Sequence, residues 1–334
     1  MKNEVRYFDE INILRAFAIL AVISIHVSAY FTKMDAINGL ATLYMSIDAF
    51  SHFAVPLFIV ISGFVLYNKY SGEIALKKFY IKRLKSVLPQ YLIFSTFYLA
   101  ATYVGSIVLA KSVTLDIPHI IYRYLTGGCF YHLWFFILII QLYFLYPAIV
   151  RLYNYCDVRG RSFELLFMVF LIGVFYNVYP IPDVFIMGKS TRLLGVATCF
   201  IGYIFYFILG MAVRRRYDEL LLKSVPKASL YYVSIPLLCC TIIGIFDYAK
   251  NHFDFDLTQI LTVTGEYWRW LTATVTPLYY VAIFALCLYI SRNMVSSGAI
   301  GLKLLKRIGG YSFGIYLTHA FILYVIVLVF PRLG

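Results

Sequence analysis

An all-α, polytopic transmembrane helical bundle is the fold class this sequence predicts, and three observations predict it. Of 334 residues, 62% are hydrophobic and 13% charged, against roughly 45–50% apolar and about 25% charged in soluble domains. Apolar runs of about 20 residues, the length that crosses a hydrocarbon core as a helix, recur from residue 11 to residue 330 with no long polar stretch between them. Lys and Arg gather in short clusters between the runs. Isolated strands would leave their backbone groups unpaired in lipid, so helices are the spanning form. Residues 1–334 read as a single membrane domain.

Nine segments qualify, near residues 11 to 31, 49 to 68, 89 to 110, 131 to 150, 163 to 180, 195 to 213, 228 to 246, 270 to 291 and 309 to 330. With the N-terminus in the cytoplasm, the inner connections hold 20 Lys and Arg residues and the outer ones eight, Arg15 counting on neither side. That asymmetry over short loops supports both the orientation and the helix count. The net charge of +13 therefore marks topology and excludes a nucleic-acid partner. The six cysteines show no CxxC pair and lie mostly in or beside apolar segments, so they read as small apolar side chains, not as disulfides or metal ligands. The first segment resembles a secretory signal in position, but Asp9, Glu10, the embedded Arg15 and the lack of a small-x-small cleavage site predict a retained helix.

The candidate chemistry begins in that segment. Arg15 and His26 stand 11 residues apart, a spacing that at about 100° per residue returns almost to one helix face with a rise of roughly 16 Å. Both face one interior channel on this reading, Arg15 near the cytoplasmic boundary and His26 near or beyond mid-membrane. Ionisable groups in the membrane cost a few kcal/mol and are functional candidates for that reason; the alternative is that Arg15 snorkels to the interface and His26 bonds a neighbouring helix. Asp48 and His52, at i and i+4, share a face and either hold a proton and support the site or cap the outer end of their helix. Ser62-Gly63 reads by itself as a small-residue helix contact.

The basic amphipathic connector Lys77 to Pro89, carrying Lys82, Arg83 and Lys85, is either a topology determinant drawn to anionic lipid or a cradle for a phosphate-rich ligand. Arg214-Arg215-Arg216 carries the same ambiguity. Further on lie His132 and Trp134 at the start of the fourth segment, and Tyr316 and His319 in the ninth. The outer stretches Asn251 to Asp256 and Glu266 to Trp268 combine acid and aromatic groups, which suit a sugar and equally an interfacial belt.

In this order the pieces resemble the acyltransferase 3 family of bacterial membrane enzymes that move acyl groups onto cell-surface polysaccharides. Arg15 and His26 fit its Arg-x10-His pattern, Ser62-Gly63-Phe64 its Ser-Gly-Phe motif, and Arg83 its Arg-x-x-Arg connector; His132 to Phe135 and Ser312 to His319 match two later signatures. Ser86 departs from the pattern where the second Arg of the connector belongs. Ten helices are usual in the family, so residues 32 to 48 or a terminal helix are the places for one more.

The resemblance implies acyl-CoA, with acetyl-CoA foremost, as a donor on the cytoplasmic side and no metal. It implies His26 and Arg15 as the catalytic pair, and Arg83, Lys82, Lys85 and Ser62 at the donor. Asp48, His52, His132, Trp134, Tyr316 and His319 remain for the acceptor or for support. The expected setting is the bacterial cytoplasmic membrane, with a glycan or lipid-linked sugar as acceptor and glycan-synthesis proteins as possible partners. Two rivals stand beside this reading. One is a polysaccharide exporter or assembly partner without chemistry, which should spread polar residues over more helices than one, two, four and nine; the other is a different membrane acyltransferase class built on a His with an adjacent Asn or Asp.

Overall fold

The computed structural model describes residues 7–31, 39–109, 116–180, 184–186, 189–191, 198–222, 234, 237–238, 241–242 and 265–329. Most of the predicted segment at 228 to 246, the first three residues of that at 195 to 213, and the acidic loop at 251 to 256 lie outside them. Helices dominate: α1 (Asp9–Phe31), α2 (Gly39–Ser51), α3 (Ala54–Tyr70), α4 (Leu76–Val108), α5 (Ile117–Thr126), α6 (Trp134–Val158), α7 (Ser162–Val178), α8 (Ile204–Arg215), α9 (Tyr217–Leu222), α10 (Gly265–Ser297), α11 (Leu302–Gly310) and α12 (Ser312–Val329). A two-stranded antiparallel hairpin pairs Val184–Ile186 with Lys189–Thr191.

Among the described residues, six spans are long and apolar enough to cross a membrane: Asp9–Ala29, Gly39–Tyr70, Leu76–Val108, Trp134–Val158, Glu266–Ser297 and Ser312–Val329. They coincide with predicted segments one, two, three, four, eight and nine. The fifth is a shorter apolar helix, Ser162–Val178.

Three boundaries differ from the nine segments predicted. The predicted second segment is broken at His52–Phe53 into α2 and α3, because Pro56 in the first turn of α3 has no N–H to return to the His52 carbonyl. A helix also occupies much of residues 32 to 48, since α2 starts at Gly39. The basic stretch from Lys77 is not a connector but the opening turns of α4, which continues through Pro89. The long apolar run beyond Pro89 carries the helix on past the lost hydrogen bond.

The chain divides into two compact units, residues 1–68 with 213–334, and residues 69–212. In the first, α1 packs against α2, α10, α11 and α12, and Ile13, Leu14, Ala16, Ala18 and Ile19 are fully enclosed. Phe8, Phe64 and Tyr217 meet edge to face at 4.9–5.3 Å. Arg214 lies over Phe8 at 5.1 Å and donates from Nε to Asn68 Oδ1 at 2.6 Å, so this member of the second basic patch joins α8 to α3. Gly309 of α11 rests directly on the α1 backbone: a Cβ there would sit 1.7 Å from the Asn12 carbonyl oxygen.

In the second unit, α6 packs against α4, α5 and α7. Tyr146 donates to the Tyr70 carbonyl at 2.9 Å and Asn154 to that of Ser71 at 2.8 Å, fixing the turn that leads into α4. Gly127, at φ 75°, caps α5; a Cβ there would meet Trp134 Cα at 2.5 Å. Ile93, Val104 and Ile107 on α4 and Phe163 and Met168 on α7 are exposed, an apolar outer surface that suits lipid.

Candidate active site

The unbroken course of α1 keeps Arg15 and His26 at the spacing that places them on one face, and both side chains are half-buried. Arg15 Nη1 donates to Asn12 Oδ1 at 3.2 Å, and Asn12 Nδ2 donates to the Tyr7 hydroxyl. Asn12 is buried, so one turn of α1 holds the guanidinium by an amide that is itself held.

His26 stacks on His319 of α12, with ring centroids 5.3 Å apart and planes 23° from parallel. His319 is buried, and its Nδ1 lies 2.7 Å from the Tyr316 carbonyl and 3.2 Å from that of Ile315. Carbonyls only accept, so the Nδ1 proton stays in place and Nε2 carries the lone pair in the neutral ring. Beside His52, the buried Asp48 accepts from Ser28 Oγ at 3.2 Å. His26 thus pairs with His319 of α12, and Asp48 of α2 with His52 beside it is tied to α1 through Ser28, all on the C-terminal half of α1.

A separate cationic cluster forms in the second unit. Arg83 stands over the rings of Tyr70, Tyr143 and Phe79 at 5.1, 5.6 and 5.8 Å and donates from Nη2 to the Tyr70 hydroxyl at 3.2 Å. Its Nε is enclosed and meets no acceptor among the described residues. Lys69 lies 5.8 Å above Tyr70 and against Lys82, while Lys82 and Lys85 are exposed. An open cleft of about 410 Å³, lined by Gly72, Glu73, Ile74, Pro147, Val150 and Arg151, borders the same turn. An enclosed guanidinium N–H that meets no acceptor among the described residues, near two amines, suits an anionic ligand.

Comparison with known families decides what this assembly belongs to. The acyltransferase 3 model, described as an acyltransferase domain, matches residues 8–334. The chain belongs to the acyltransferase 3 family. Comparison with curated proteins and with solved structures returned no match.

The acyltransferase 3 match runs through both compact units, and the motif residues differ in what they touch. Ser62 donates back to the Phe58 carbonyl of its own helix at 2.9 Å. Ser86, the departure from Arg-x-x-Arg, is exposed and bonds the Arg83 carbonyl at 2.9 Å. His132 is 1% exposed, ringed by Tyr98, Tyr131 and Phe130 at 5.1, 5.5 and 5.8 Å, a packing position on the turn into α6. Trp134 lies 6.3 Å from Tyr203, and Tyr316 is 5.8 Å from His319.

Cys129, Cys156, Cys199 and Cys287 are free thiols. Burial pushes the Cys129 thiol up, away from the thiolate a nucleophile needs. Among the described residues no group of three or more His, Cys, Asp or Glu is placed to hold a metal ion.

Sequence reasoning missed Asn12, Ser28, Tyr70 and Tyr143. A polar residue three positions before Arg15 and another two after His26 were the available signals.

Proposed function

We propose that this acyltransferase moves an acetyl group from cytoplasmic acetyl-CoA to a hydroxyl of a cell-envelope glycan, with His26 as general base. The observation that carries the reading is His26 itself, half-buried in an apolar helix, stacked on a second imidazole and on the same helix face as Arg15. A near-neutral imidazole suits proton removal from a hydroxyl.

In this reading the acceptor O–H bond breaks, its proton passes to His26, and the oxygen bonds the acyl carbon. The carbon–sulfur bond then breaks, and the thiolate takes up the proton held on His26, which restores the neutral ring and releases CoA as its thiol. Arg15 balances the negative charge that develops at the carbonyl. Arg83, Lys82 and Lys85 hold the CoA phosphates, with the neighbouring cleft for the rest of the nucleotide. The domain spans residues 1–334 in a bacterial cytoplasmic membrane with its N-terminus inside. The acceptor is a lipid-linked or polymeric sugar, supplied by glycan-synthesis proteins.

Mass spectrometry of envelope glycans tests the reading. A strain lacking the chain should lose acetyl groups from one glycan, regain them with the wild-type chain and not with His26→Ala. Unchanged acetylation in the deletion strain contradicts it, and loss of the whole polymer from the surface with acetylation intact favours an exporter.

A further inference from the structure

Helix α11 joins two helices long and apolar enough to span a membrane, α10 and α12, and is too short to span one itself. Its nine residues rise roughly 14 Å at about 1.5 Å per residue, about half of a hydrocarbon core of about 30 Å. Only residues 298–301 separate it from α10, and Tyr311 alone from α12, so it lies at the membrane surface where the two spans turn. Gly309 seats it on the α1 backbone at Asn12, and Lys306 Nζ donates to Asp9 Oδ2 at 2.5 Å. These contacts put α11 on the membrane side that holds the N-terminal end of α1. Its outward side is both apolar and basic. Leu304 and Tyr311, seven residues apart and so on one side of a helix, are exposed, as is Ile300 just before it. Lys303 and Arg307, one turn apart, are exposed beside them, and among the described residues neither makes an ion pair. No Asp or Glu follows Glu266 in the chain, and Asp9, the acid that reaches α11, is taken by Lys306.

We propose that α11 is a docking surface for anionic phospholipid, and that the bound lipid holds α11 on α1. Leu304 and Tyr311 enter the boundary between headgroups and acyl chains, while the stems of Lys303 and Arg307 carry their charges up to the headgroup phosphates. A zwitterionic surface would cover the apolar residues and leave two cations without net counter-charge; an anionic one matches both. The surface does not depend on the acyl-transfer reading, although Asn12, on which α11 rests, also holds Arg15.

The test uses the full-length protein in nanodiscs, with its native cysteines replaced and a bimane fluorophore on Gly310→Cys, an exposed position with nothing within 4 Å of a Cβ. Phosphatidylglycerol or phosphatidylcholine carrying a nitroxide high on one acyl chain is then titrated in. Phosphatidylglycerol should quench at about tenfold lower content than phosphatidylcholine, from two cations near an anionic surface. With Lys303→Gln and Arg307→Gln together, the two lipids should quench alike. Equal quenching by both lipids before those substitutions, or a preference that survives them, overturns the proposal. So does the absence of quenching by either lipid, which would give the face to water or to a protein partner. A second measurement reads the hold on α1: exchanging phosphatidylcholine for phosphatidylglycerol should raise the thermal midpoint of the wild-type chain more than that of the double variant. An equal rise in the two overturns that hold. None of these readouts involves acyl transfer, so an inactive chain would strike the acyl-transfer reading and leave the lipid surface standing.

Discussion

Arg83 shows how far one side chain's surroundings decide its role. Three aromatic rings and a tyrosine hydroxyl hold its guanidinium, and its Nε points at no acceptor among the described residues. A charge-assisted hydrogen bond contributes about 1.5–3 kcal/mol, and about 1.4 kcal/mol is a factor of ten in affinity. Arg83→Ala should therefore weaken CoA binding about tenfold or more by calorimetry while the protein stays folded, and Arg83→Lys should restore only part, because an ammonium cannot fork. Equal CoA affinity in the alanine variant would remove Arg83 from the donor site. The sequence displays this arginine, its lysine neighbours and the Arg15–His26 spacing, because each is local. It does not display the Tyr143 contact or the stacking of His26 on His319, since those join helices far apart in the chain and depend on how the helices pack.

Helix α11 acts on α1 through the absence of a side chain. Gly309 lies where a Cβ would overlap the Asn12 carbonyl at 1.7 Å, whereas Gly310 has nothing within 4 Å of the corresponding position. Overpacking costs about 1–3 kcal/mol, so Gly309→Ala should lower the thermal midpoint in detergent and Gly310→Ala should leave it nearly unchanged. Equal midpoints would mean that α11 does not seat on α1. Asn12 also anchors Arg15, so this contact couples a packing position to the candidate site. Helix lengths were legible because composition sets them. The His52–Phe53 break was missed although Pro56 signals it, and the start of α4 was missed because a basic amphipathic stretch reads alike as a connector or as opening turns. Facing was illegible for a physical reason: helices apolar on all sides carry no stripe that separates lipid from core.

Topology belongs to the whole molecule. The excess of Lys and Arg in alternate connections predicts that Lys78 lies inside and His119 outside. In a variant with the native cysteines replaced, a membrane-impermeant maleimide should label His119→Cys on intact cells and Lys78→Cys only after the membrane is opened; the reverse pattern would invert the donor side. The class of fold and the family were readable from end to end, while the identity of the acceptor leaves no mark in the residues, because recognition of a small substrate rests on how loops and helix ends fold together. In the proposed reaction His26 removes the proton from the hydroxyl of the acyl acceptor. The most direct measurement is transfer of label from radiolabelled acetyl-CoA to extracted lipid-linked glycan by the purified chain in liposomes. Wild-type protein should label the glycan and folded His26→Ala should not; equal labelling by the two would contradict the account.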